Sequence, residues 1–210
     1  MSCLQPDGNC ANCPRLVSFR TQNQKKFPTY HNGPVASFGA LDAKVLIVGL
    51  APGLNGANQT GRPFTNDYAG DVLYPTLKKF AFAKGNYQKK ADDGFELVDV
   101  RITNAVRCVP PQNKVTTTEI KNCRPFLVSE IKAMTNLKII LALGQVAHNA
   151  VLATLGQKLS SVRFGHGNTY QLDNGLILID SYHTSRYNIN TGRLTAKMFE
   201  NIIQHLRDKL

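Results

Sequence analysis

The sequence predicts an α/β fold in three layers, with helices on both faces of a central, mostly parallel sheet of four strands. Four short apolar runs, each bounded by turn-forming residues, have the composition of strands that are covered on both faces. A segment with helical periodicity follows each of these runs. This alternation of strand and helix is typical of a parallel sheet.

The four predicted strands lie, in chain order, at residues 44–51, 97–109, 137–144 and 176–180. The four predicted helices lie at residues 69–83, 116–135, 145–155 and 193–210. Thr116 and Glu119 have the spacing of a capping box, which supports the start of the second helix. Because ligands bind beyond the carboxyl ends of the strands in such sheets, the polar residues that follow each strand are the candidate site residues.

Residues 1–43 are rich in Pro, Gly, Asn and Gln and show no sustained period, so they are predicted to form an irregular N-terminal arm. The 210 residues suffice for one core, and we expect a single domain that includes this arm. Hydrophobic residues make up 42% of the chain, yet no apolar run approaches the roughly 20 residues of a membrane span. The first 15 residues lack the pattern of a signal peptide, and we expect a cytoplasmic monomer.

The chain carries 25 basic and 14 acidic side chains, which give a formal net charge of +11. An excess of this size attracts polyanions, because Lys and Arg release condensed counterions from phosphates. The basic residues are spread along the chain rather than gathered in a tail, which indicates a basic face on a folded domain. A nucleic-acid partner is therefore favoured over a small nucleotide, which needs no broad basic face.

Four of the five cysteines form two groups that can supply metal ligands. Cys10 and Cys13 form a C-x-x-C pair, 94 residues lie between Cys13 and Cys108, and 14 lie between Cys108 and Cys123. An odd cysteine count argues against a disulfide framework. The spacing is compatible with zinc and with a [4Fe–4S] cluster, and it leaves both open. A redox pair is less favoured, because the C-x-x-C precedes the first strand.

Three features that follow predicted strands are suited to a ligand. Gly49 and Gly53 let the backbone approach a ligand closely, although this signal is weak alone. Phe64 is an aromatic residue in a polar loop, where it either contacts a ligand or plugs the rim of the core. His183 follows the fourth strand, where an active site is expected, and its alternative role is that of a hydrogen-bonded turn residue.

Four motifs occur in a fixed order along the chain and carry a family resemblance. They are Gly49-Leu-Ala-Pro-Gly53, Thr60-Gly-Arg-Pro-Phe-Thr65, Ile102-Thr-Asn-Ala-Val-Arg-Cys108 and Tyr182-His-Thr-Ser-Arg-Tyr-Asn188. The set resembles the uracil-DNA glycosylase superfamily, with the iron–sulfur type called family 5 first and family 4 second. The resemblance runs from Cys10 through the predicted C-terminal helix. It implies a DNA-repair enzyme that hydrolyses the N-glycosidic bond of uracil in DNA after base flipping, with hypoxanthine and xanthine as further candidate bases.

The resemblance also implies the cofactor and shows two departures. In that family the four cysteines Cys10, Cys13, Cys108 and Cys123 hold a [4Fe–4S] cluster. The first motif of family 5 more often ends in Ala where Gly53 stands, so Gly53 follows family 4. Thr184 occupies a position where the histidine motif commonly has Pro. Neither departure removes a functional side chain, but both leave the range of bases open.

Residue roles follow from the resemblance together with side-chain chemistry. Phe64 would stack on the flipped base, and Asn104 would match the uracil edge, because a carboxamide offers both a donor and an acceptor. His183 would donate to uracil O2 as charge accumulates, with help from backbone amides of residues 49–53. Leu50 and Ala51 belong to the same base-binding loop.

The activation of the attacking water is a further role that the site requires. Ala51 stands where many superfamily members have Asp or Asn, and Ala cannot act as a base. Either hydrolysis proceeds mainly through stabilisation of the leaving group, or another group supplies the water. Asp67 and Asn58, in the adjoining loop, are the candidates for this role, and the alternative for Asp67 is a loop cap.

The predicted DNA contacts lie in the segment after His183. Tyr187 falls where a wedge residue would fill the hole left by the flipped base, and Arg186 and Arg193 would contact phosphates. The alternative is a solvated turn. Two other functions remain open: a non-enzymatic zinc or iron–sulfur nucleic-acid-binding module, and an α/β enzyme acting on nucleotides.

Overall fold

The computed structural model describes residues 3–210. Within them the strands are β1 (Val45–Gly49), β2 (Ala83–Lys84), β3 (Glu96–Leu97), β4 (Val100–Asn104), β5 (Ile139–Leu143), β6 (Thr169–Gln171) and β7 (Ile177–Ser181). The α-helices are α1 (Pro14–Lys26), α2 (Ala57–Thr60), α3 (Tyr68–Lys79), α4 (Thr117–Ala133), α5 (Gln145–Thr154), α6 (Arg186–Asn190) and α7 (Ala196–Asp208). A short 3₁₀ turn covers Pro111–Asn113.

Five strands form the central sheet in the order β4-β1-β5-β7-β6. The first four run parallel, and β6 pairs antiparallel with β7 at the edge. The predicted three-layer class and the mostly parallel sheet are confirmed, whereas the predicted count of four strands is wrong. β6 has only three residues, and because it lies at an exposed edge no apolar run marks it.

Alternate residues of β1 face opposite layers of helices. Val45 and Ile47 pack on the side of α3 and α7, whereas Leu46 and Val48 pack on the side of α4 and α5. All five residues in each of β1, β4 and β5 are buried. In β1 and β5 this burial explains the continuous apolar runs in the sequence, whereas β4 buries the polar residues Arg101, Thr103 and Asn104 as well. The second strand is shorter than predicted, but residues 105 and 106 extend its backbone pairing to β1.

The four predicted helices are confirmed as α3, α4, α5 and α7, with ends displaced by a few residues. The predicted capping box is present at the start of α4. The Thr116 side chain accepts a hydrogen bond from the Glu119 amide at 3.2 Å, and the Glu119 carboxylate accepts one from the Thr116 amide at 2.8 Å. Among residues 3–210, no helix combines the length and the apolar character that crossing a membrane requires.

The N-terminal arm is not irregular throughout, because α1 occupies its middle part. The buried residues of α1 are Leu16, Arg20 and Asn23, at helical spacing on one face. Two of these three are polar, so the face exists but carries no hydrophobic period that could be detected in the sequence. Pro14 at the first helical turn and two lysines in the last turn match the usual helix-end preferences.

The position of β1 determines where a ligand can bind. β1 lies between β4 and β5, so the chain leaves β1 toward one side of the sheet and later returns to the other. Such a switch point opens a crevice beyond the carboxyl ends of the strands. The residues that follow β1, β4 and β7 meet at this edge.

Candidate active site and thiol cluster

A cavity of about 430 Å³ opens at the carboxyl ends of β1, β4 and β7. Eight of the residues predicted from the sequence line it: Leu50, Ala51, Gly53, Phe64, Asp67, Asn104, His183 and Arg186. The other lining residues are Pro52, Tyr68, Ala69, Pro110, Asn113 and Ser185. Apolar walls with a few converging polar groups are typical of a small-ligand site.

Gly49 brings Phe64 and Asn104 together at the floor of the cavity. It pairs with Asn104 across β1 and β4. A Cβ atom at this position would lie 2.5 Å from Asn104 Oδ1 and 2.6 Å from Phe64 Cζ. Only glycine leaves room at this position for the edge of the Phe64 ring and the Asn104 carboxamide to lie next to each other at the floor of the cavity.

Asn104 presents an unused carboxamide to this floor. The residue is 3% exposed. Its side chain makes no hydrogen bond to any residue in the described range 3–210, although its backbone lies in β4, which pairs with β1. Buried amides are normally hydrogen-bonded, so the carboxamide is available to a ligand in the cavity.

Phe64 sits in a strained turn that a buried ion pair supports. The backbone of Phe64 has a φ of +56°, which a side-chain-bearing residue seldom adopts. Arg62 donates to both carboxylate oxygens of Asp93 at 2.8 and 2.9 Å and to Thr65 Oγ1 at 2.7 Å. The Tyr74 hydroxyl donates to the Pro63 carbonyl. This network fixes the loop from both ends, as is common where a site stores backbone strain.

The His183 ring faces Phe64, and neither ring nitrogen forms a hydrogen bond to any residue within 3–210. The two ring centroids are 5.9 Å apart at an interplanar angle of 27°. The hydrogen bond that His183 makes is through its backbone carbonyl, which accepts from Asn188 Nδ2 at 2.8 Å. Burial lowers the pKa of His183 to about 4, because a buried cation is disfavoured. The ring is therefore a neutral imidazole near pH 7, with one N–H to donate.

Asp67 precedes α3, but its carboxylate does not cap that helix. Instead Oδ2 accepts the Ala57 amide at 3.2 Å, and the carboxylate also receives the Gly53 amide. Burial raises the pKa of Asp67, and the two amide hydrogen bonds only partly oppose this effect. The loop that follows β1 therefore wraps around a carboxylate that lines the cavity.

Asn58 and Arg193 lie outside the cavity lining. Asn58 is buried, and its Nδ2 donates to Asn32 Oδ1 at 3.0 Å, which ties α2 to the N-terminal arm. The guanidinium of Arg193 stacks over the Tyr182 ring at 4.6 Å from the centroid. The structure thus places the Asn58 side chain away from the cavity, against the N-terminal arm.

Arg186 and Tyr187 form an exposed rim beside the cavity. They begin α6, which is capped by the Ser185 hydroxyl accepting from the Asn188 amide at 3.3 Å. Arg186 stacks over the Tyr68 ring at 5.2 Å, and Tyr187 is 71% exposed. An aromatic ring this exposed, next to a cavity mouth, is available to a partner.

The four predicted cysteine ligands surround a second, small cavity between α1 and α4. Cys10, Cys13, Cys108 and Cys123 all line it, together with apolar residues that include Leu16, Val106 and Phe126. Burial raises the pKa of Cys108 to about 12 and that of Cys123 to about 11. Within residues 3–210, no three Cys, His, Asp or Glu groups are close enough to hold a single metal ion.

The surroundings of the thiols suit an anionic cluster. The donor set is four thiols without a histidine or carboxylate, which is the usual ligand set of a [4Fe–4S] cluster. Arg20 lines the same cavity and is buried, and its Nη1 atom has no hydrogen-bond partner among the described residues. The Arg107 amide donates to Cys123 Sγ at 3.3 Å. A buried cation and an amide directed at sulfur would both stabilise thiolate charge.

Comparison with known proteins identifies the family. Residues 36–207 match the family described as the uracil DNA glycosylase superfamily. The chain belongs to this superfamily. A type-5 uracil-DNA glycosylase of Thermus thermophilus is 39% identical over 94% of this chain and 92% of its own length. One from Pyrobaculum aerophilum is 38% identical over 93% of this chain and 87% of its own length. A type-4 enzyme of Pyrobaculum aerophilum is 29% identical over 78% of this chain. The predicted family and the order of its two types are confirmed.

The superfamily cavity contains residues that sequence reasoning missed. Pro110, Asn113 and Tyr68 all line the cavity, and Tyr68 directly follows Asp67 in the chain. Asn113 has a φ of +55°, as does its exposed neighbour Gln112. The prolines before Asn113 indicated only a break in the strand. Neither the residue types nor the periodicity of the sequence indicated that the chain returns to the cavity after this break.

Proposed function

We propose that the protein removes uracil from DNA by hydrolysing its N-glycosidic bond, which leaves an abasic site. The observation that carries the proposal is the cavity floor, where the unused carboxamide of Asn104, the ring of Phe64 and the free imidazole of His183 converge. A pocket of this composition holds a planar polar base. The two type-5 uracil-DNA glycosylases align with this chain over nearly their full length, which supports the same reaction here.

Base recognition is assigned to Phe64 and Asn104. The target bond is hidden in a duplex, so the nucleotide must rotate out of the stack and enter the pocket. The Phe64 ring then offers a face for stacking, which is worth about 1–3 kcal/mol per base in other proteins. The Asn104 carboxamide can donate to uracil O4 and accept from N3–H, whereas cytosine presents the opposite pattern at these two atoms.

Bond cleavage is assigned to His183. As the bond between C1′ and N1 breaks, the electron pair stays on uracil and the sugar becomes oxocarbenium-like. The neutral imidazole of His183 donates its N–H to uracil O2, where negative charge accumulates. A preorganised donor of this kind gains most in the transition state, and its loss typically lowers the rate by about a hundred- to a thousandfold.

Water activation is assigned to Asp67 rather than Asn58. Ala51 and Asp67 both line the cavity, and Ala51 has no base to offer. A carboxylate whose pKa is raised by burial is better suited to take a proton from water than an exposed one. The water adds to C1′, and its proton passes to Asp67. The side chain of Asn58 is occupied by Asn32 and is left out of this step.

DNA binding is assigned to the rim. Tyr187 is exposed enough to fill the space that the flipped nucleotide leaves, and Arg186 beside it can contact a phosphate. Arg193 would contact a phosphate farther along, beyond Tyr182. The net charge of +11 supplies the general attraction to the polyanion.

We also propose that Cys10, Cys13, Cys108 and Cys123 hold a [4Fe–4S] cluster, which would cross-link α1 to α4 and to the end of β4. Its contribution would be structural, because the thiols line a cavity separate from that of His183. Free cysteines throughout residues 3–210 fit a reducing compartment, so we propose a cytoplasmic location. All proposed functional groups come from one chain, so we propose that it acts as a monomer.

The deciding experiment is incubation with oligonucleotides that carry uracil, hypoxanthine or xanthine, followed by alkaline cleavage of abasic sites. Uracil duplexes should be cut and the His183→Ala variant should cut them much more slowly, with unchanged duplex affinity. Asn104→Ala should lose uracil more than hypoxanthine, because the lost hydrogen bonds fit one edge. Binding without cleavage by the wild-type protein would favour a non-enzymatic nucleic-acid-binding module instead.

A further inference from the structure

A buried histidine–aspartate pair lies outside the cavity and takes no part in the steps above. His148 is in the second turn of α5, and Asp180 is in β7, three residues before His183. His148 Nδ1 is 2.8 Å from Asp180 Oδ1, and His148 Nε2 is 3.1 Å from the carbonyl oxygen of Val162. The two side chains are 1% and 0% exposed.

The hydrogen-bond geometry determines how many protons this pair holds. A carbonyl oxygen can only accept, so His148 Nε2 must carry a proton. The contact between Nδ1 and Asp180 needs a second proton, either on the imidazole or on the carboxyl group. In both cases the pair is neutral overall, which burial favours over a lone carboxylate beside a neutral imidazole. The pair therefore holds one proton more than a neutral histidine with an ionised aspartate.

The two residues of this pair connect α5 and β7 to the loop at residues 162–168. Asp180 Oδ2 accepts the Gly165 amide at 3.3 Å, and the Asp180 backbone bonds to residues 167 and 168 at 2.9 Å each. The Phe164 ring packs edge-on against His148, with centroids 5.7 Å apart. Both ends and the middle of the loop are therefore held by the same buried pair.

The loop in turn supports the segment that carries the proposed DNA contacts. His166 stacks on Tyr182 with centroids 5.0 Å apart, and its Nδ1 accepts the Tyr182 amide at 3.2 Å. Arg193 stacks over the same Tyr182 ring. Tyr182 directly precedes His183 in the chain. A shift of the loop would therefore move Tyr182, with effects on Arg193 and on the backbone at His183.

We propose that His148 is a positioning residue, and that the proton it shares with Asp180 keeps the 162–168 loop seated for productive DNA binding. Release of that proton at alkaline pH would remove the donor to the Val162 carbonyl and leave a net negative charge in the core. The consequence for excision rests on the proposed function, whereas the proton and the loop anchoring do not.

The elements packed against α5 include β1, β5 and α4, and of these β1 and β5 carry no charged or titratable side chain. The buried carboxylates of α4 are Glu119, which is paired with Arg15, and Glu130, which is paired with Arg101 and Arg107. From β7 the facing group is Asp180, and from the loop the charged or titratable side chains are Arg163, which is exposed, and His166, which is turned onto Tyr182. The residues of α5 include no other charged or titratable side chain. Burial lowers the pKa of His148, but the hydrogen bond and charge of Asp180 outweigh it, and the pKa is raised overall. Burial lowers the pKa of His166, so its titration falls on the acid side.

The direct test is a histidine-ring NMR titration of the wild-type protein, with amide hydrogen exchange of residues 162–168. We expect the His148 ring to titrate above the range of an ordinary histidine, and the loop amides to exchange faster above that midpoint. Asp180→Asn should lower the midpoint, because the amide does not stabilise the proton. A pair that has already lost the shared proton at pH 6, with a neutral His148 ring beside an ionised Asp180, would overturn the proposal, as would loop exchange that does not follow the titration of the pair.

The functional test is the pH profile of single-turnover uracil excision. The wild-type single-turnover rate constant, measured at subsaturating enzyme so that it reports DNA binding as well, should fall by about two- to tenfold on the alkaline side, the effect of about one hydrogen bond. The His148→Gln variant should excise uracil more slowly at neutral pH, and its rate should not show this decline at alkaline pH, the alkaline limb of the profile. His205→Gln is the matched control, since His205 contacts Thr169 on the surface and should leave the profile unchanged. An alkaline limb retained in His148→Gln would refute the positioning role.

The two tests also separate the two proposals. Absence of excision in the wild-type protein would refute the proposed function but leave the NMR and exchange results intact. If His148→Gln does not fold, the wild-type titration and the Asp180→Asn midpoint still decide the proton assignment.

Discussion

Replacing Gly49 with alanine tests the floor of the cavity without removing any functional side chain. The new Cβ would lie 2.5 Å from Asn104 Oδ1 and 2.6 Å from Phe64 Cζ. To restore an ordinary contact of 3.4 Å, the carboxamide and the ring edge must retreat by about 0.9 Å and 0.8 Å. Neither group can retreat freely, because Asn104 is fixed in β4 and the Phe64 loop is anchored by Arg62.

The expected result is a large loss of rate with a modest loss of stability. A misplacement of about 1 Å at a reacting centre can lower the rate by about a hundredfold. Overpacking by one methyl group typically costs about 1–3 kcal/mol of unfolding free energy. We therefore expect Gly49→Ala to fold, to melt at a lower temperature, and to excise uracil about a hundredfold more slowly.

The assay is single-turnover excision at saturating enzyme, paired with thermal denaturation. Gly8→Ala is the control, since a Cβ at Gly8 would meet no atom within 4 Å. Its rate and melting temperature should match those of the wild type. A Gly49→Ala protein that folds and excises uracil at the wild-type rate would refute the assignment of Phe64 and Asn104 to the base pocket.

Three further predictions concern the thiols, the buried carboxylate and the buried ion pair. Cys123→Ser should lose iron in metal analysis of protein purified without oxygen, whereas Cys3→Ser should keep all of it; equal iron in both would contradict the ligand assignment. Asp67→Asn should slow excision yet raise the melting temperature at pH 7. Because burial raises the pKa of Asp67, the stability of the wild type falls as the pH rises from the unfolded-state pKa to the folded-state pKa, and the uncharged Asn avoids this loss. A variant that excises faster or melts at a lower temperature would argue against this. Asp93→Ala should lower the unfolding free energy by about 3–5 kcal/mol in urea titrations, because it leaves a buried guanidinium unpaired. Glu96→Ala, which breaks an exposed pair, should leave the denaturation midpoint unchanged.

The sequence was informative where burial alone determines the pattern. β1, β5 and β7 are apolar because helices cover both of their faces, so they stand out and set the fold class. The thiol pairs and the residues after the strands were also visible, since side-chain chemistry is written in the residue type. β6 and α1 were not visible, because one lies at an exposed edge and the other buries Arg20 and Asn23.

What the sequence did not predict is the direction in which several polar side chains point, even where it identified the residues themselves. Asp67 and Asn58 have similar positions in one polar loop, and only the fold shows that Asp67 faces the cavity while Asn58 binds Asn32. Asn113 reaches the cavity through a left-handed turn, which residue type does not reveal. The His148–Asp180 pair joins residues 32 positions apart, and no local pattern indicates such a contact.

The polar face of α1 has a consequence for synthesis of the chain. Cys13 is about 110 residues ahead of Cys123, so at about 5–20 residues per second the ribosome makes the first thiol pair about 5–22 s before the last thiol. During this interval α1 has no α4 to pack against. Until α4 has been synthesised, water can solvate Arg20 and Asn23 on the face of α1 that is later buried. A fully apolar face would instead promote aggregation of the nascent chain.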